Sequence, residues 1–105
     1  MQFGLENKII EQINSVFKQY PGIQRVVIYG SRAKGNWRNG SDIDLAIIAP
    51  EMTIEDLIKI KTQIDDLPIA YNVDLTLFHY IDNQSLIDHI QRIGKEFYSR
   101  QVNKE

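Results

Sequence analysis

The segment RVVIYGSRAKGNWRNGSDIDLAII, residues 25–48, decides the fold. It opens with a β-branched and aromatic run that ends at Gly30, and it closes with the apolar run LAII, so both ends have the composition of strands. Between them, Ser31 to Trp37 has room for one or two helical turns, and Asn39-Gly40-Ser41 is a turn signal. This link is too short for a comfortable right-handed crossover, which predicts that the two strands pair antiparallel.

On the N-terminal side of this segment, apolar residues recur at the spacing of one helical face from about Leu5 to Tyr20. Pro21-Gly22 ends the helix that they predict. On the C-terminal side, Thr53 to Asp56 is typical of a capping box, with Asp56 where glutamate is usual. The second long helix therefore begins after Thr53 and ends before Pro68.

The last third of the chain predicts a strand, a helix and a tail. The strand runs from Val73 to Phe78, Asp82 caps the helix, Gly94 ends it, and Glu96 to Ser99 forms a short extended tail. The strand follows a full helix and can lie parallel to the second strand. The predicted fold is α/β (α+β), in the order α-β-α-β-α-β-α, with a small mixed sheet packed by helices. Residues 1–105 are expected to form a single domain.

Composition excludes several classes of function. The 105 residues contain no cysteine, which removes disulfides, thiolate zinc sites and cysteine nucleophiles. No apolar run approaches the ~20 residues that span a bilayer, so the protein is expected to be cytoplasmic and not to associate with a membrane. The net charge of −2 argues against direct nucleic-acid binding, because proteins that grip a nucleic-acid backbone usually carry a basic surplus. The small patch of Arg32, Lys34 and Arg38 is better matched to one small anionic ligand.

Asp42 and Asp44 lie two residues apart at the start of the second strand. The strand period of two puts both side chains on one face, with Cα atoms about 6–7 Å apart. Carboxylates at this spacing repel unless a cation lies between them, and Mg²⁺ prefers oxygen ligands and keeps positions open for water and phosphate. Acidic residues are also common where a strand follows an Asn-Gly-Ser turn, so the pair alone is equally compatible with a solvated strand start.

Asp74 lies within Val73-Asp-Leu-Thr-Leu-Phe78, a strand otherwise without charge. A buried ionised carboxylate needs a cation, a hydrogen-bond network or the sheet edge. Three carboxylates from two neighbouring strands can hold two magnesium ions about 3.5–4 Å apart, as in phosphoryl chemistry. The alternative is an exposed residue on a polar sheet face.

Gly30-Ser31 ends a buried strand and opens a short helix. Glycine allows close backbone approach, and the first amides of a helix are expected to point outward unpaired, ready for phosphate oxygens. The Ser31 hydroxyl can add to them, or can serve only as an N-cap. Arg32 and Lys34 can neutralise phosphate charge or can be solvated. The Walker P-loop pattern is absent.

These residues together resemble a known family. Gly30-Ser31, ten residues, Asp42-x-Asp44 and the later Asp74 resemble the DNA-polymerase-β-like nucleotidyltransferase superfamily. The strings YGSRAKG, residues 29–35, and GSDIDL, residues 40–45, are similar to its minimal branch, the MNT proteins. The joint pattern is specific, whereas each part alone is weak.

The resemblance implies the roles of the site residues. Gly30 and Ser31 would bind the triphosphate of a nucleoside triphosphate, with ATP as the expected substrate. Arg32, from its charge, is expected to be a further nucleotide-binding residue beside them. Asp42, Asp44 and Asp74 would be the catalytic and magnesium-binding carboxylates, and Asp74 would help to deprotonate the acceptor hydroxyl. The implied reaction is attack on the α-phosphate with pyrophosphate leaving.

The resemblance also implies a partner. Larger relatives carry a further domain that holds the acceptor, whereas here only about 27 residues follow Phe78. MNT proteins of this size resemble antitoxins encoded beside HEPN toxins, which are helical ribonucleases, and the implied reaction transfers AMP to a tyrosine of the toxin. Two alternatives stay open: an enzyme that acts alone on a small alcohol or another protein, and a non-catalytic module that neutralises its partner by occlusion.

Three further residues are expected to have ordinary roles. His79 and His89 are isolated, without the spacing of zinc ligands, and are expected at the surface or in packing. Trp37 can stack on a base, but a lone tryptophan beside a turn more often covers the edge of a core or an interface.

Overall fold

The computed structural model describes residues 1–100. Within these residues, three helices of 10–12 residues and one of five residues alternate with four strands. In chain order the elements are α1 (Asn7–Phe17), β1 (Arg25–Tyr29), α2 (Gly30–Lys34), β2 (Ile43–Ile48), α3 (Ile54–Asp65), β3 (Val73–Leu77), a 3-10 turn (Phe78–Tyr80), α4 (Gln84–Ile93) and β4 (Lys95–Ser99).

The four strands form one mixed sheet in the order β3-β2-β1-β4. β1 pairs antiparallel with β2 and β3 pairs parallel with β2, so both predicted pairings are confirmed. The predicted order lacked the last strand: the expected tail is β4, which pairs antiparallel with β1 with an irregularity in register between Val26 and Val27. This pairing supplies partners for the edge of β1 that β2 leaves open.

Helices cover the two faces of the sheet unequally. The larger core lies between the sheet and the α1–α3 side, and includes Phe17, Ile28, Leu45 and Ile60. On the opposite face, Val27, Tyr29 and Ala46 pack with Ile90 of α4. Because side chains alternate along a strand, Asp44 shares this second face with Ala46, beside α4.

The ends of two helices differ from the prediction. α1 begins at Asn7 and ends at Phe17, so it is shorter at both ends than the predicted span from Leu5 to Tyr20. The cap of α4 is Asn83, whose side-chain oxygen accepts from the Leu86 amide at 3.2 Å, so the assignment of Asp82 is wrong. An N-cap must lie immediately before the first helical residue, and Asp82 lies one position too early.

The capping box of α3 is confirmed. The Asp56 amide donates to Oγ1 of Thr53 at 3.3 Å, and the Thr53 amide donates to Oδ2 of Asp56 at 3.1 Å. The first turn of α3 is therefore satisfied within four residues. Across residues 1–100, none of the helices combines the length and apolar character needed to cross a membrane.

Candidate active site

Three acidic residues meet at one end of the sheet. Asp44 of β2 lies opposite Asp74 of β3 in the parallel register, and on its other side it lies opposite Tyr29 of β1. Asp42 precedes β2 by one residue and is exposed, as is Asp74. The two-residue spacing directs Asp42 and Asp44 to the same face. The structure therefore brings the three predicted carboxylates together beside the start of α2.

Negative charge accumulates at Asp44. Burial raises the pKa of the Asp44 carboxyl above its ordinary value, and the charges of Asp74 and then Asp42 raise it further, while His89 and Arg32 oppose the shift. The same surroundings act on Tyr29, where burial, then Asp74 and Asp44, raise the pKa of the hydroxyl to about 12. Ionised Asp44 is thus under-compensated, which is the electrostatic condition that a bound cation relieves.

Gly30 lies against the Asp44 carboxylate. It has φ +74, a left-handed conformation that glycine adopts without strain, and a methyl group added at its Cα would collide with Oδ2 of Asp44. The next residue, the half-buried Ser31, is in the first turn of α2. Close approach of the chain to Asp44 therefore requires glycine at position 30.

The Gly30 amide has a partner that the sequence did not suggest. It donates to Nε2 of His89 in α4 at 3.1 Å, and the His89 ring stands edge-on to Tyr29 with centroids 6.0 Å apart. The expectation that this amide is unpaired is therefore wrong, and His89 lies at the site rather than in packing remote from it. Its one signal in the sequence is a polar residue between Leu86 and Ile93, on the apolar side of a helix.

The contacts of Arg32 differ from those expected of a side chain that is free to bind phosphate. Its side chain is only 3% exposed; Nε and Nη2 donate to the Ser41 carbonyl at 3.2 and 2.9 Å, and Nη1 donates to the Phe3 carbonyl at 2.9 Å. The guanidinium also lies 5.2 Å from the ring centre of Tyr71. These bonds tie α2 to the turn before Asp42, which favours a structural role, and nucleotide binding by Arg32 stays a prediction.

The other residues singled out by sequence lie at the periphery. Lys34 is exposed. Trp37 packs its ring directly on Gly4, where no side chain would fit, and is 39% exposed. The Nε2 atom of His79 is 3.1 Å from the Met52 carbonyl. These contacts agree with Trp37 covering the edge of the fold, and base stacking by Trp37 stays a prediction.

The donor set is compatible with magnesium by its chemistry. Asp42 and Asp44 share a face, and burial, followed by the charges of Asp74 and Asp42, raises the pKa of Asp44. Within residues 1–100, no three histidine or acidic side chains stand ready as a metal cage. Mg²⁺ is commonly held by one or two carboxylates together with substrate phosphates and water, so a complete protein cage is not needed.

Comparison with known proteins gives the family. Residues 11–103 match the family model described as polymerase beta, nucleotidyltransferase. Among curated proteins, no sequence matches the chain significantly.

Solved structures share the fold. A chain of a toxin–antitoxin complex with AMP-PNP superimposes with a TM-score of 0.71 at 20% identity, covering 88% of this chain and 74% of that one. A chain of the complex between tri-AMPylated Shewanella oneidensis HEPN toxin and MNT antitoxin gives 0.68 at 16%, covering 91% and 74%. A Sulfolobus solfataricus protein assigned as a nucleotidyltransferase gives 0.58 at 26%, covering 89% and 79%. With the family model spanning nearly the whole chain, this protein belongs to the polymerase β nucleotidyltransferase family.

Proposed function

We propose that this nucleotidyltransferase transfers AMP from ATP, with magnesium, to a tyrosine hydroxyl of a HEPN-type toxin and so acts as its antitoxin. One observation carries the proposal: Asp44 lies between Asp74 and Tyr29 across three adjacent strands, directly beneath Gly30. In a chain of this family, that arrangement puts carboxylates next to the turn expected to receive phosphate. The relatives of similar fold include toxin–antitoxin complexes with AMP-PNP and with AMPylated toxin.

Each site residue has a distinct part in the proposed reaction. Ser31 donates its hydroxyl to a phosphate oxygen at the turn formed with Gly30. Asp42 and Asp44 hold magnesium, with Asp74 as a third carboxylate. When bound, the metal neutralises charge on the phosphates and orients them. Arg32 supports this turn from behind, because its guanidinium bonds the Ser41 and Phe3 carbonyls.

The proposed step balances as a nucleotidyl transfer. The acceptor oxygen forms a bond to the α-phosphorus of ATP, the bond from that phosphorus to the bridging oxygen breaks, and pyrophosphate leaves. The proton of the acceptor hydroxyl goes to Asp74, whose exposed side chain is open to a group brought by another molecule. Tyr29, with a pKa of about 12, stays neutral and adds no further negative charge near neutral pH.

A macromolecular acceptor is supported by the layout of the described chain. Within residues 1–100, every helix and strand belongs to the one sheet or to the layers on it, so no separate lobe stands over the carboxylates. In this part of the chain, the carboxylates are therefore open to a hydroxyl that another molecule brings. A toxin chain docked at this end of the sheet is proposed to bring that hydroxyl.

Co-expression with a HEPN-type helical protein from the adjacent reading frame tests the proposal, and the absence of such a reading frame would count against it. The wild-type protein is expected to restore growth, and peptide mass spectrometry is expected to find AMP on a toxin tyrosine. The variant Asp42→Asn with Asp44→Asn is expected to lose the adduct and the rescue together. Asp82→Asn is the matched control, because Asp82 is exposed, lies outside the site and does not cap α4.

The outcomes separate the alternatives. Growth rescue by the double variant without any adduct would overturn catalysis and favour neutralisation by occlusion. An adduct found on a small alcohol or a different protein, with the toxin unmodified, would favour an enzyme of another acceptor class. An adduct that survives in the double variant would remove Asp42 and Asp44 from the mechanism.

A further inference from the structure

His89 makes a hydrogen bond that neither the family motif nor the proposed reaction uses. Its Nε2 accepts the Gly30 amide proton at 3.1 Å across 59 residues of sequence. Accepting through Nε2 leaves the ring proton on Nδ1. The bond therefore joins the middle of α4 to the turn between β1 and α2, where phosphate is expected to bind.

The helix that carries His89 is firmly attached to β1. The neighbouring Ile90 is 4% exposed and packs with Val27 and Tyr29, and the amide of Gly94 donates to the Ile90 carbonyl at 2.8 Å. Gly94 lies so close to Val27 that a side chain there would collide with it. His89 is consequently presented from a packed helix rather than from a mobile loop.

Gly30 is held between two groups. His89 binds its amide, and Asp44 lies against its Cα. The positive φ of Gly30 turns the chain from β1 into α2, so the orientation of its peptide group sets the direction of Ser31. A left-handed glycine has many accessible conformations, and a fixed bond to its amide removes several of them before any ligand binds.

We propose that His89 is a positioning residue that holds the Gly30-Ser31 turn in the conformation that binds the nucleotide phosphates. This rests on the proposed function, in which that turn receives phosphate. His89 acts through Gly30 and touches no reacting atom. Because pre-organisation lowers the entropic cost of binding, its loss acts on nucleotide affinity more than on the chemical step.

Two substitutions at His89 separate hydrogen bonding from packing. His89→Gln places an amide oxygen at a reach similar to that of Nε2 and keeps an acceptor, whereas His89→Leu keeps apolar volume against Tyr29 without one. His79→Gln is the matched control, since His79 bonds the Met52 carbonyl away from the site. The measurements are hydrogen exchange of the Gly30 amide by NMR, ATP affinity by calorimetry, and kcat for transfer.

The expected pattern is specific to a positioning role. His89→Leu should expose the Gly30 amide to faster exchange and weaken ATP binding by about five-fold, the scale of one lost neutral hydrogen bond. Its kcat at saturating ATP should change less than its affinity. His89→Gln and His79→Gln should stay close to wild type in all three measurements, while the amides of β1 stay protected in every variant.

Three results would overturn the inference. Unchanged exchange and affinity in His89→Leu would mean that the bond orders nothing. Equal losses of Gly30 amide protection and of ATP affinity in His89→Gln and His89→Leu would mean that only the packing of the imidazole ring matters. Tighter ATP binding in His89→Leu would mean that His89 competes with phosphate for the amide. Failure of the wild-type protein to transfer AMP would defeat the proposed function, while the exchange of Gly30 would still decide whether His89 orders the turn.

Discussion

Asp44 lies directly opposite Asp74 in the parallel pairing of β2 and β3. Two acidic side chains in this relationship repel each other, and burial of Asp44 adds to the cost of its charge. A fold optimised only for stability would not keep both. The pair is better explained as a binding site whose charge is balanced when a cation is present.

Neutralising Asp44 is expected to stabilise the metal-free protein. The folded carboxyl has a pKa raised above its ordinary value of 3.8, so the folded state holds this proton more tightly than the unfolded state. The resulting penalty is absent below the unfolded pKa and is complete above the folded one. Asp44→Asn should therefore raise Tm at neutral pH, and the gain should shrink as pH falls toward 3.8.

Thermal unfolding in EDTA across this pH range measures the effect. Asp82→Asn, at an exposed position outside the site, controls for the general loss of one negative charge. A gain for Asp44→Asn that is the same at every pH would show that repulsion at the site is not its cause.

Gly30→Ala is expected to lower the free energy of unfolding by more than the strain of a left-handed alanine alone. Gly35 has φ +92 with open space around it, so Gly35→Ala reports the left-handed strain alone, about 1 kcal/mol. Gly30 has a similar φ, and its added methyl group also collides with the Asp44 carboxylate. Gly30→Ala should lose roughly 2 kcal/mol or more in urea unfolding and should also weaken ATP binding. Equal effects at the two glycines would contradict the close approach to Asp44.

Arg32→Lys is expected to destabilise the fold. Lysine cannot reproduce the fork that donates to the Ser41 carbonyl through two nitrogens and to the Phe3 carbonyl through the third. The expected loss is about 2–3 kcal/mol in the free energy of unfolding, the scale of buried bonds to a charged group. Lys34→Met, at an exposed position, should be nearly neutral. Normal stability with lost ATP binding in Arg32→Lys would instead support a direct nucleotide contact by Arg32.

Removal of magnesium is expected to abolish transfer. It is also expected to leave the wild-type protein with a lower Tm than the variant Asp42→Asn with Asp44→Asn, whereas the wild type should have the higher Tm when magnesium and nucleotide are bound. Added Mg²⁺ with a non-hydrolysable ATP analogue should raise Tm of the wild type, because ligands that bind only the folded state stabilise it. The variant Asp42→Asn with Asp44→Asn should show little rise. An equal rise in both proteins would mean that the metal is held elsewhere.

The sequence predicted the parts of the fold and site that depend on local pattern. Gly30-Ser31 and Asp42-x-Asp44 lie within one short segment, and the period of two along β2 was enough to put the carboxylates on a shared face. The antiparallel pairing followed from the length of the link between the first two strands. Thr53 and Asp56 capped α3 as predicted because a capping box is complete within four residues.

The parts that were missed depend on tertiary contacts. His89 lies 59 residues from Gly30, and no spacing rule links them. The contacts of Arg32 were missed as well, because its charge predicts phosphate binding, whereas its guanidinium bonds the carbonyls of Phe3 and Ser41, which only folding brings beside it. Nucleotide binding by Arg32 stays a prediction. β4 looked like a tail because its strand character depends on pairing with β1.

The most direct test of nucleotidyl transfer places a radiolabel either on the α-phosphate or on the γ-phosphate of ATP and follows it onto the purified toxin with magnesium present. Transfer from the α-position alone is predicted, together with its loss in Asp42→Asn with Asp44→Asn and its retention in Asp82→Asn. Transfer from the γ-position, or α-label transfer that the double variant leaves unchanged, would contradict the account.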